Sequence, residues 1–250
     1  MSRRALLRCV TLLLACLPLT AAAATDLSFP GGKIAIDTGA GLSGPVQLML
    51  LLTVLSLAPS ILIVLTAFTR IIVVLAMLRH AIGMPETPPT AVLVSLALFL
   101  TAFTMMPVWQ SIHERAVEPY LAGKLNDRQA IDEAMVPVRQ FMLAQTREKD
   151  MALMLELART PVPEQPQDLK TFHLIPAFML SELKRAFEIG FIIFLPFVMI
   201  DIVVASVLTS LGMIMVPPAA FSLPLKVLLF VLIDGWSLLA AALVRSFVPV

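Results

Sequence analysis

Four long apolar stretches dominate this chain, and they lie in two pairs on either side of one charged block. The stretches cover residues 46–78, 91–109, 189–218 and 221–248. The block at 113–171 holds 18 of the 35 charged residues, eight of them basic and ten acidic. Such a chain needs lipid or protein around its two ends and water around its middle, which predicts a membrane protein with one hydrophilic central domain.

The uncharged runs are long enough for helices that cross a bilayer. No charged residue occurs in the 24 residues 46–69 or in the 19 residues 91–109, and a spanning helix needs about 20 apolar residues. Charged residues make up 14% of the chain, against roughly 25% in an ordinary soluble domain. We therefore expect an all-α membrane protein in which two long apolar helical hairpins flank a small helical domain.

The first 24 residues have the pattern of a cleaved secretory signal peptide. Three arginines precede a short apolar run and a small-residue cleavage pattern at 22–24. Two other interpretations stay open, because Arg3 and Arg4 resemble a twin-arginine motif and the residues before Cys16 resemble a lipoprotein signal. Cys9 and Cys16 both lie in this segment, so the mature chain would have no thiol for a disulfide, a zinc site or a nucleophile.

Composition divides the mature chain into four parts. They are a periplasmic leader at 25–45, a first apolar hairpin at 46–110, a helical domain at 111–172 and a second apolar hairpin at 173–250, which contains a loop at 212–218.

Prolines and helix caps predict where these helices bend or begin. Pro59 should kink or divide the first helix, because proline lacks the N–H group and clashes with the preceding turn. Pro107 should end the second apolar helix. In the central domain, Asn126 or Asp127 can cap a helix that Pro137 bends or interrupts.

The signal peptide predicts the topology. Its cleavage would place Thr25 outside the inner membrane, and four crossings would then place the 111–172 domain in the periplasm and both short links in the cytoplasm. Arg79 and Lys226 lie near these links, in agreement with the positive-inside rule. The net charge of +1, without a basic patch, indicates membrane lipid rather than nucleic acid as a partner.

Eight charged residues lie in or beside the apolar helices, where an unpaired charge is costly. Such groups could form a conduction path or proton relay, or they could pair between helices or subunits and fix the assembly. A relay needs groups within hydrogen-bond reach, and these charges are scattered, which favours pairing. The eight are Arg70, Glu182, Lys184, Arg185, Glu188, Asp201, Lys226 and Asp234, of which we expect Arg70, Asp201 and Asp234 to be buried inside the membrane region.

The loop at 212–218 has the most unusual composition in the chain. Gly212 can end a helix, and Pro217 and Pro218 prevent the helix from continuing. The residues between them are apolar and include two methionines, which are unbranched and fit irregular gaps. The loop could be packing filler in an ordinary turn, or a ring of such loops could seal a pore that yields to a passing polypeptide.

Enzyme chemistry has little support in the sequence. His80, His113 and His173 are isolated and lack metal-ligand spacing. Neither a phosphate-binding glycine-rich loop nor a nucleophile elbow is present. We therefore expect no catalytic residues, no metal and no cofactor.

Several sequence blocks resemble one family in the same order along 46–250. They are 62–71, 87–89 and 96–101 in the first hairpin, 141–143 with Gln145 and Asp150 in the centre, and 176–178, 181–184, 186–187, 189–191, 196–197, 212–218, 223–226 and 232–236 in the second hairpin. These blocks are similar to the FliP family of flagellar type III secretion export-gate proteins. The cleavable leader favours a flagellar member over the injectisome homologues, which usually lack one.

The resemblance implies a function without catalysis. Members of the family assemble as a pentamer with FliQ and FliR into a helical channel at the base of the flagellum, and unfolded flagellar subunits pass through it. FlhA and FlhB are the further partners that the resemblance implies. It also implies that the hairpins of the finished assembly are partly lifted out of the membrane plane.

The resemblance also assigns roles to individual residues. The methionine gasket of the family falls on Met213, Ile214 and Met215, where Ile214 departs from the usual methionine. The inter-subunit ion pair of the family falls on Glu182 and Lys226. Two other functions are weighed against this one: a small secondary transporter, for which the hairpins lack an obvious internal repeat, and a receptor, for which the links are too short to form an output domain.

Overall fold

Every regular element in the described part of the chain is a helix, which confirms the expected all-α class. The computed structural model describes residues 44–161, 169–213 and 215–247. The signal peptide, most of the leader and Ile214 therefore lie outside the described residues. The helices are α1 (Gly44–Leu65), α2 (Phe68–Ile82), α3 (Thr90–Ile112), α4 (Glu118–Leu121), α5 (Asp127–Gln145), α6 (Glu148–Leu157), α7 (Thr171–Ser210), α8 (Ala219–Leu232) and α9 (Gly235–Arg245). A π-helical turn, His113–Val117, joins α3 to α4.

The first apolar stretch breaks at Thr66 and Ala67, so the expected division at Pro59 is wrong. The helix α1 continues through position 59, and α2 begins at Phe68. At the break the Thr69 hydroxyl donates to the Ile63 carbonyl at 3.1 Å, and this bond satisfies a backbone group that the interrupted helix frees. Apolar surroundings favour backbone groups that stay paired within a helix, which favours a helix that continues past position 59.

Helix α3 also passes its proline instead of ending there. It contains Pro107 and runs to Ile112, and the π-helical turn then carries the chain into the central domain without a loop. The boundary expected near 110 therefore lies inside continuous helical structure. A single π-helical turn is a common way to absorb an irregularity within a helix.

The helix α7 joins the central domain to the second hairpin. Its 40 residues span about 60 Å at 1.5 Å per residue, roughly twice the thickness of the hydrocarbon core of a bilayer. The helix continues through Pro176 and Pro196. Only about half of α7 can lie in lipid, and its first half packs against α5 and α6 of the central domain.

The core of the fold is the contact between α2 and α7. Buried α2 residues repeat at helical spacing (Ile71, Val74, Leu75, Leu78 and Ala81), and they belong to the same apolar core as Leu174, Phe178 and Ala186 of α7. The two helices approach each other closely at Gly190, where an added Cβ would lie 2.3 Å from the Met77 sulfur. Small residues permit such close approach between helices in a membrane protein.

Helix α5 of the central domain begins where the sequence predicts. The Asn126 side chain accepts from the Gln129 backbone N–H at 2.9 Å, and the Gln129 side chain accepts from the Asn126 N–H at 3.1 Å. This reciprocal capping box starts α5. The helix then runs through Pro137 without interruption.

Two described helices are long and apolar enough to cross a membrane, Thr90–Leu121 and Thr171–Ser210. The bent pair α8 and α9, with 65° between its two helices, provides a third if it forms one span. Four crossings therefore stay a prediction for the whole chain. Large apolar side chains nevertheless cover the exterior, for example Phe99, Phe103, Phe191 and Val203, and a membrane protein would cover these with lipid or with other subunits.

Gly190→Val should separate α2 from α7. The new side chain would overlap Met77, whose Cβ lies 3.2 Å from the position of an added Cβ, so simple rotation of Met77 would not relieve the overlap. We expect a loss of about 1–3 kcal/mol, as is typical of overpacking, measured as a lower thermal unfolding temperature in detergent. Ser206→Val, at an exposed position of the same helix, is the matched control; an equal shift in both variants would contradict the close approach.

Candidate functional site

Arg70 occupies the centre of a polar cluster in which Arg70, Glu182 and Gln145 are fully buried. Its Nε donates to Glu182 Oε2 at 2.9 Å, and a second guanidinium nitrogen bonds Glu182 Oε1. Further bonds reach the Ser246 carbonyl at 2.9 Å, the Ser246 hydroxyl at 3.1 Å and Gln145 Oε1 at 3.4 Å. The Phe247 ring covers the guanidinium at 3.8 Å. The cluster thus joins α2, the end of α5, α7 and the segment after α9.

Local structure brings these groups together. Arg70 lies in the first turn of α2, just after the break at Thr66, and Glu182 lies on the face of α7 that packs against α2. A buried charge is costly unless it is paired and hydrogen-bonded, and bidentate arginine–carboxylate contacts are among the strongest protein hydrogen bonds. The arrangement satisfies both charges with partners from distant parts of the chain.

A second charged pair lies between α7 and α8. Lys226 Nζ lies 2.7 Å from Asp201 Oδ2 and donates to the Ala81 carbonyl at 3.3 Å. Because Ala81 belongs to the last turn of α2, the lysine also satisfies a helix-terminal carbonyl and complements the negative end of the helix dipole. The Lys226 side chain is buried, whereas that of Asp201 remains 44% exposed and lines an open cleft of about 420 Å³ beside Ser222.

The loop after α7 presents methionines at the tip of the second hairpin. Gly212 has φ +76°, its N–H donates to the Thr209 carbonyl at 3.0 Å, and the Met213 N–H donates to the Leu208 carbonyl at 2.9 Å. This double bond pattern is a Schellman cap, and it confirms that Gly212 ends the helix. Met213 is 39% exposed and Met215 is 97% exposed.

The structure places the other predicted residues as follows. Glu182 and Lys226 each have an acid–base partner within the chain, Arg70 and Asp201 respectively, so their pairing between subunits stays a prediction. Arg70 is buried, Asp201 is half-exposed and Asp234 is exposed in the single chain. Neither aspartate is buried in the single chain, so the burial of each depends on what covers it in an assembly.

Gln145 belongs to the Arg70 cluster and was not assigned a role from the sequence. Val138, Phe141 and Met142 form the inward face of α5, and Gln145 continues that spacing by one turn. A polar side chain on an apolar face is the signal that could have identified it. Ser246 and Phe247 carry no comparable signal, because their role depends on where α9 ends.

A third polar cluster fixes α6 against α7. The buried Ser181 hydroxyl accepts from the Arg147 N–H at 3.0 Å and donates to Asp150 Oδ2. Arg147 also contacts the Asp150 carboxylate through Nε at 2.9 Å. Burial raises the pKa of Asp150, but the hydrogen bonds from Ser181 and Arg147, and the charges of Arg147 and Lys184, outweigh it and lower the pKa below its ordinary value.

Metal chemistry finds no support among the described residues, since these contain no group of three or more His, Cys, Asp or Glu side chains placed to hold an ion. The charged side chains instead bond one another across helices. Together with the apolar exterior, this arrangement defines an all-helical membrane protein whose buried charges hold its helices together.

Comparisons with known proteins agree with this class and define it further. The model of the FliP family matches residues 51–243. Flagellar biosynthetic protein FliP of Caulobacter vibrioides is 49% identical over 246 residues, which cover 98% of this chain and 91% of the relative. The FliP proteins of Pectobacterium carotovorum (51% identity, 81% of this chain and 78% of the relative) and Bacillus subtilis (49%, 82% and 93%) are similarly close.

This chain belongs to the FliP family of flagellar biosynthesis proteins. The match covers the break before α2, the central domain, the methionine loop and the charged side chains of all three polar clusters. The expected resemblance is thereby confirmed.

Removing one partner of the Arg70 cluster should lower the free energy of unfolding. Arg70→Met and Glu182→Gln each leave a buried charge without its partner, which typically costs about 3–5 kcal/mol. The double variant Arg70→Met with Glu182→Leu should recover part of this loss, measured by thermal unfolding in detergent. The exposed pair Lys184 and Glu188, whose charged atoms lie 3.9 Å apart on the same helix, is the control: Glu188→Gln should change stability by less than about 1 kcal/mol.

The Asp150 cluster should make stability depend on acid pH. Because its folded-state pKa is lowered, the carboxylate stabilises the fold above its unfolded pKa, and this contribution disappears as pH falls through the folded pKa. Asp150→Asn should lose about 1.5–3 kcal/mol at neutral pH, and the difference from the unchanged protein should shrink in acid. Unfolding curves between neutral and acid pH test this; a constant difference would contradict it.

Proposed function

We propose that this protein is a core subunit of the flagellar type III secretion export gate. Several copies, five by family resemblance, assemble with FliQ and FliR in the inner membrane, and FlhA and FlhB contact the assembly. Unfolded flagellar subunits pass through the channel, so the function is passage and sealing rather than catalysis. The 111–172 domain lies on the periplasmic side. Membership of the FliP family supports this proposal.

The observation that carries the proposal is the loop between α7 and α8. Its methionines are exposed at the tip of an apolar hairpin, although the loop is held at its first end by the Gly212 cap and at its second by Pro217 and Pro218. Flexible thioether side chains held on fixed ends can close around objects of different shape. Copies arranged around an axis would bring such loops together and exclude water and ions between them.

Ile214 should make this seal stiffer than one made of methionine alone. It lies outside the described residues, but its side chain is β-branched and therefore stiffer at χ1 than the methionines on either side. A gasket made of Met213, Ile214 and Met215 should still seal a narrow hole. It should deform less readily than one made of three methionines.

The pairing of the charged groups favours a role in stabilising the channel wall over a role in a proton relay. Arg70 and Glu182 satisfy each other out of contact with solvent, and Lys226 is held by Asp201 and a backbone carbonyl. Groups paired in this way stabilise helix contacts and would have to separate before they could pass a proton. A secondary transporter would also need a substrate site near the middle of the membrane.

Met213→Ala combined with Met215→Ala should make the assembled gate leak. The change removes bulk from the tip of the hairpin without touching the caps or charge clusters, so the complex should keep its size and stability. Ion conductance of cells or proteoliposomes containing the complex should rise several-fold. Met199→Ala, an equal truncation at an exposed position of α7, serves as the control; the gasket would be refuted by an intact barrier in the double variant.

A further inference from the structure

An apolar groove of about 370 Å³ lies in the hydrophilic central domain. One wall is formed by the end of α3, the π-helical turn and α4, and the other by the start of α5. The residues that line it include Ile112, Ala116, Val117, Ala130, Ile131 and Ala134. The Tyr120 hydroxyl of the first wall donates to Asp127 Oδ1 of the second at 3.1 Å, so a hydrogen bond within the single chain joins the two walls.

Several apolar side chains of the groove are exposed although their surroundings are hydrophilic. Leu121 is 78% exposed and Ile131 is 64% exposed. Ile131, Val138 and Phe141 recur at helical spacing along α5, but only the later part of this apolar stripe packs into the core. Exposed apolar patches with a polar rim mark interaction sites, so the uncovered part of the stripe indicates a partner.

The shape of the groove favours a helix as its occupant. The π-helical turn His113–Val117 supplies Ala116 and Val117 to one wall, and such turns are frequent at functional sites. Three of the lining residues are alanines, whose small side chains leave room for the side chains of a partner. Every regular element in the described part of the chain is a helix, so these residues offer no strand edge for β-addition. Docking of an amphipathic helix in the groove is the recognition mode that fits.

The chain that forms the groove is acidic. Residues 112–135 contain five acidic and three basic residues, whereas residues 136–171 contain five of each. All eight charged residues of the first range are exposed, and Asp127 itself lines the groove. Complementary charge orients a partner and raises its rate of association, so the excess of acid favours a partner with basic residues.

The central domain of a second copy matches the groove poorly. Its helices α4, α5 and α6 each contain more acidic than basic residues. Any of these helices docked in the groove would set acidic residues against acidic residues, which disfavours the contact. Helix α3 contains no charged residue and offers no complementary charge either.

The lipid bilayer also matches the groove poorly. Helix α3 has 23 residues and spans about 34 Å at 1.5 Å per residue, slightly more than the hydrocarbon core of roughly 30 Å. A groove at the end of α3 therefore lies beyond the hydrocarbon core when this helix crosses the bilayer. Anionic headgroups attract basic segments and repel an acidic one.

We infer that the groove binds an amphipathic helix of a different protein. The apolar face of that helix contacts Leu121 and Ile131, and basic side chains at its flanks face the surrounding acidic residues. The inference goes beyond the proposed export role, because it requires only that the central domain faces water.

A peptide of this chemistry tests the groove in the full chain. The probe is a fluorescent peptide of about 18 residues, long enough to form a helix, with leucine along one face and lysine elsewhere. The protein is held in nanodiscs of zwitterionic lipid, and empty nanodiscs give the background. We expect Ile131→Gln to weaken binding about tenfold or more, because an apolar contact is lost. Leu157→Gln, an equal change at a position of α6 that is 69% exposed, should leave binding unchanged; equal affinities of the two variants would overturn the inference.

Charge reversal tests the chemistry of the partner. Asp132→Lys with Glu133→Lys should weaken binding of the lysine peptide about tenfold or more, and the loss should shrink at high salt. Glu148→Lys with Glu156→Lys makes the same change in net charge at exposed positions of α6 and should have little effect. A probe with glutamate in place of lysine should bind the unchanged protein about tenfold more weakly. Equal binding of the two probes contradicts a basic partner.

Photo-cross-linking in cells identifies the natural occupant. Benzoylphenylalanine is placed at Ile131, or at Leu157 as the control, and the cross-linked peptide is sequenced by mass spectrometry. We expect position 131 alone to cross-link to another protein, through a segment with apolar residues at helical spacing and a net positive charge. An adduct with a second copy, with lipid or with an acidic segment, or the absence of any adduct, overturns the inference. The native mass of the complex with FliQ and FliR tests the proposed assembly separately, so either proposal can fail alone.

Discussion

The buried guanidinium of Arg70 is the interaction on which the rest of the structure depends. Its bonds to Glu182, Gln145 and Ser246 connect the start of α2 with α7, with the central domain and with the end of α9. Apolar packing alone specifies a helical bundle in lipid poorly, because lipid tails and side chains are similar solvents. Because only one arrangement of the helices satisfies this buried charge, the charge favours that arrangement over arrangements in which the helices are shifted.

The hydropathy pattern predicted the helices better than their ends. The apolar runs, the Asn126 cap and the Gly212 stop are local signals, and each corresponds to an observed feature. Pro59 and Pro107 misled the prediction, because a proline in a long apolar helix costs less than the exposure of backbone groups that a break would cause. The observed break at Thr66 depends on a hydroxyl three residues later, which no composition rule singles out.

The charged residues illustrate a different limit. Their cost in apolar helices identified Arg70, Glu182, Asp201 and Lys226 individually, but their partners depend on the register between helices. That register follows from the close contact of Gly190 with Met77, which is a property of two surfaces and not of either sequence. Pairings implied by family resemblance refer to several copies, whereas the single chain pairs each of these groups internally.

The contact between Arg70 and Ser246 spans 176 residues of sequence and has a consequence for biosynthesis. At about 5–20 residues per second, a ribosome needs roughly 10–35 s to proceed from one to the other. During that interval the arginine has no access to its final hydroxyl, carbonyl and aromatic neighbours. The Arg70 cluster can therefore be completed only after the segment that follows α9 has been synthesised, long after α2 itself.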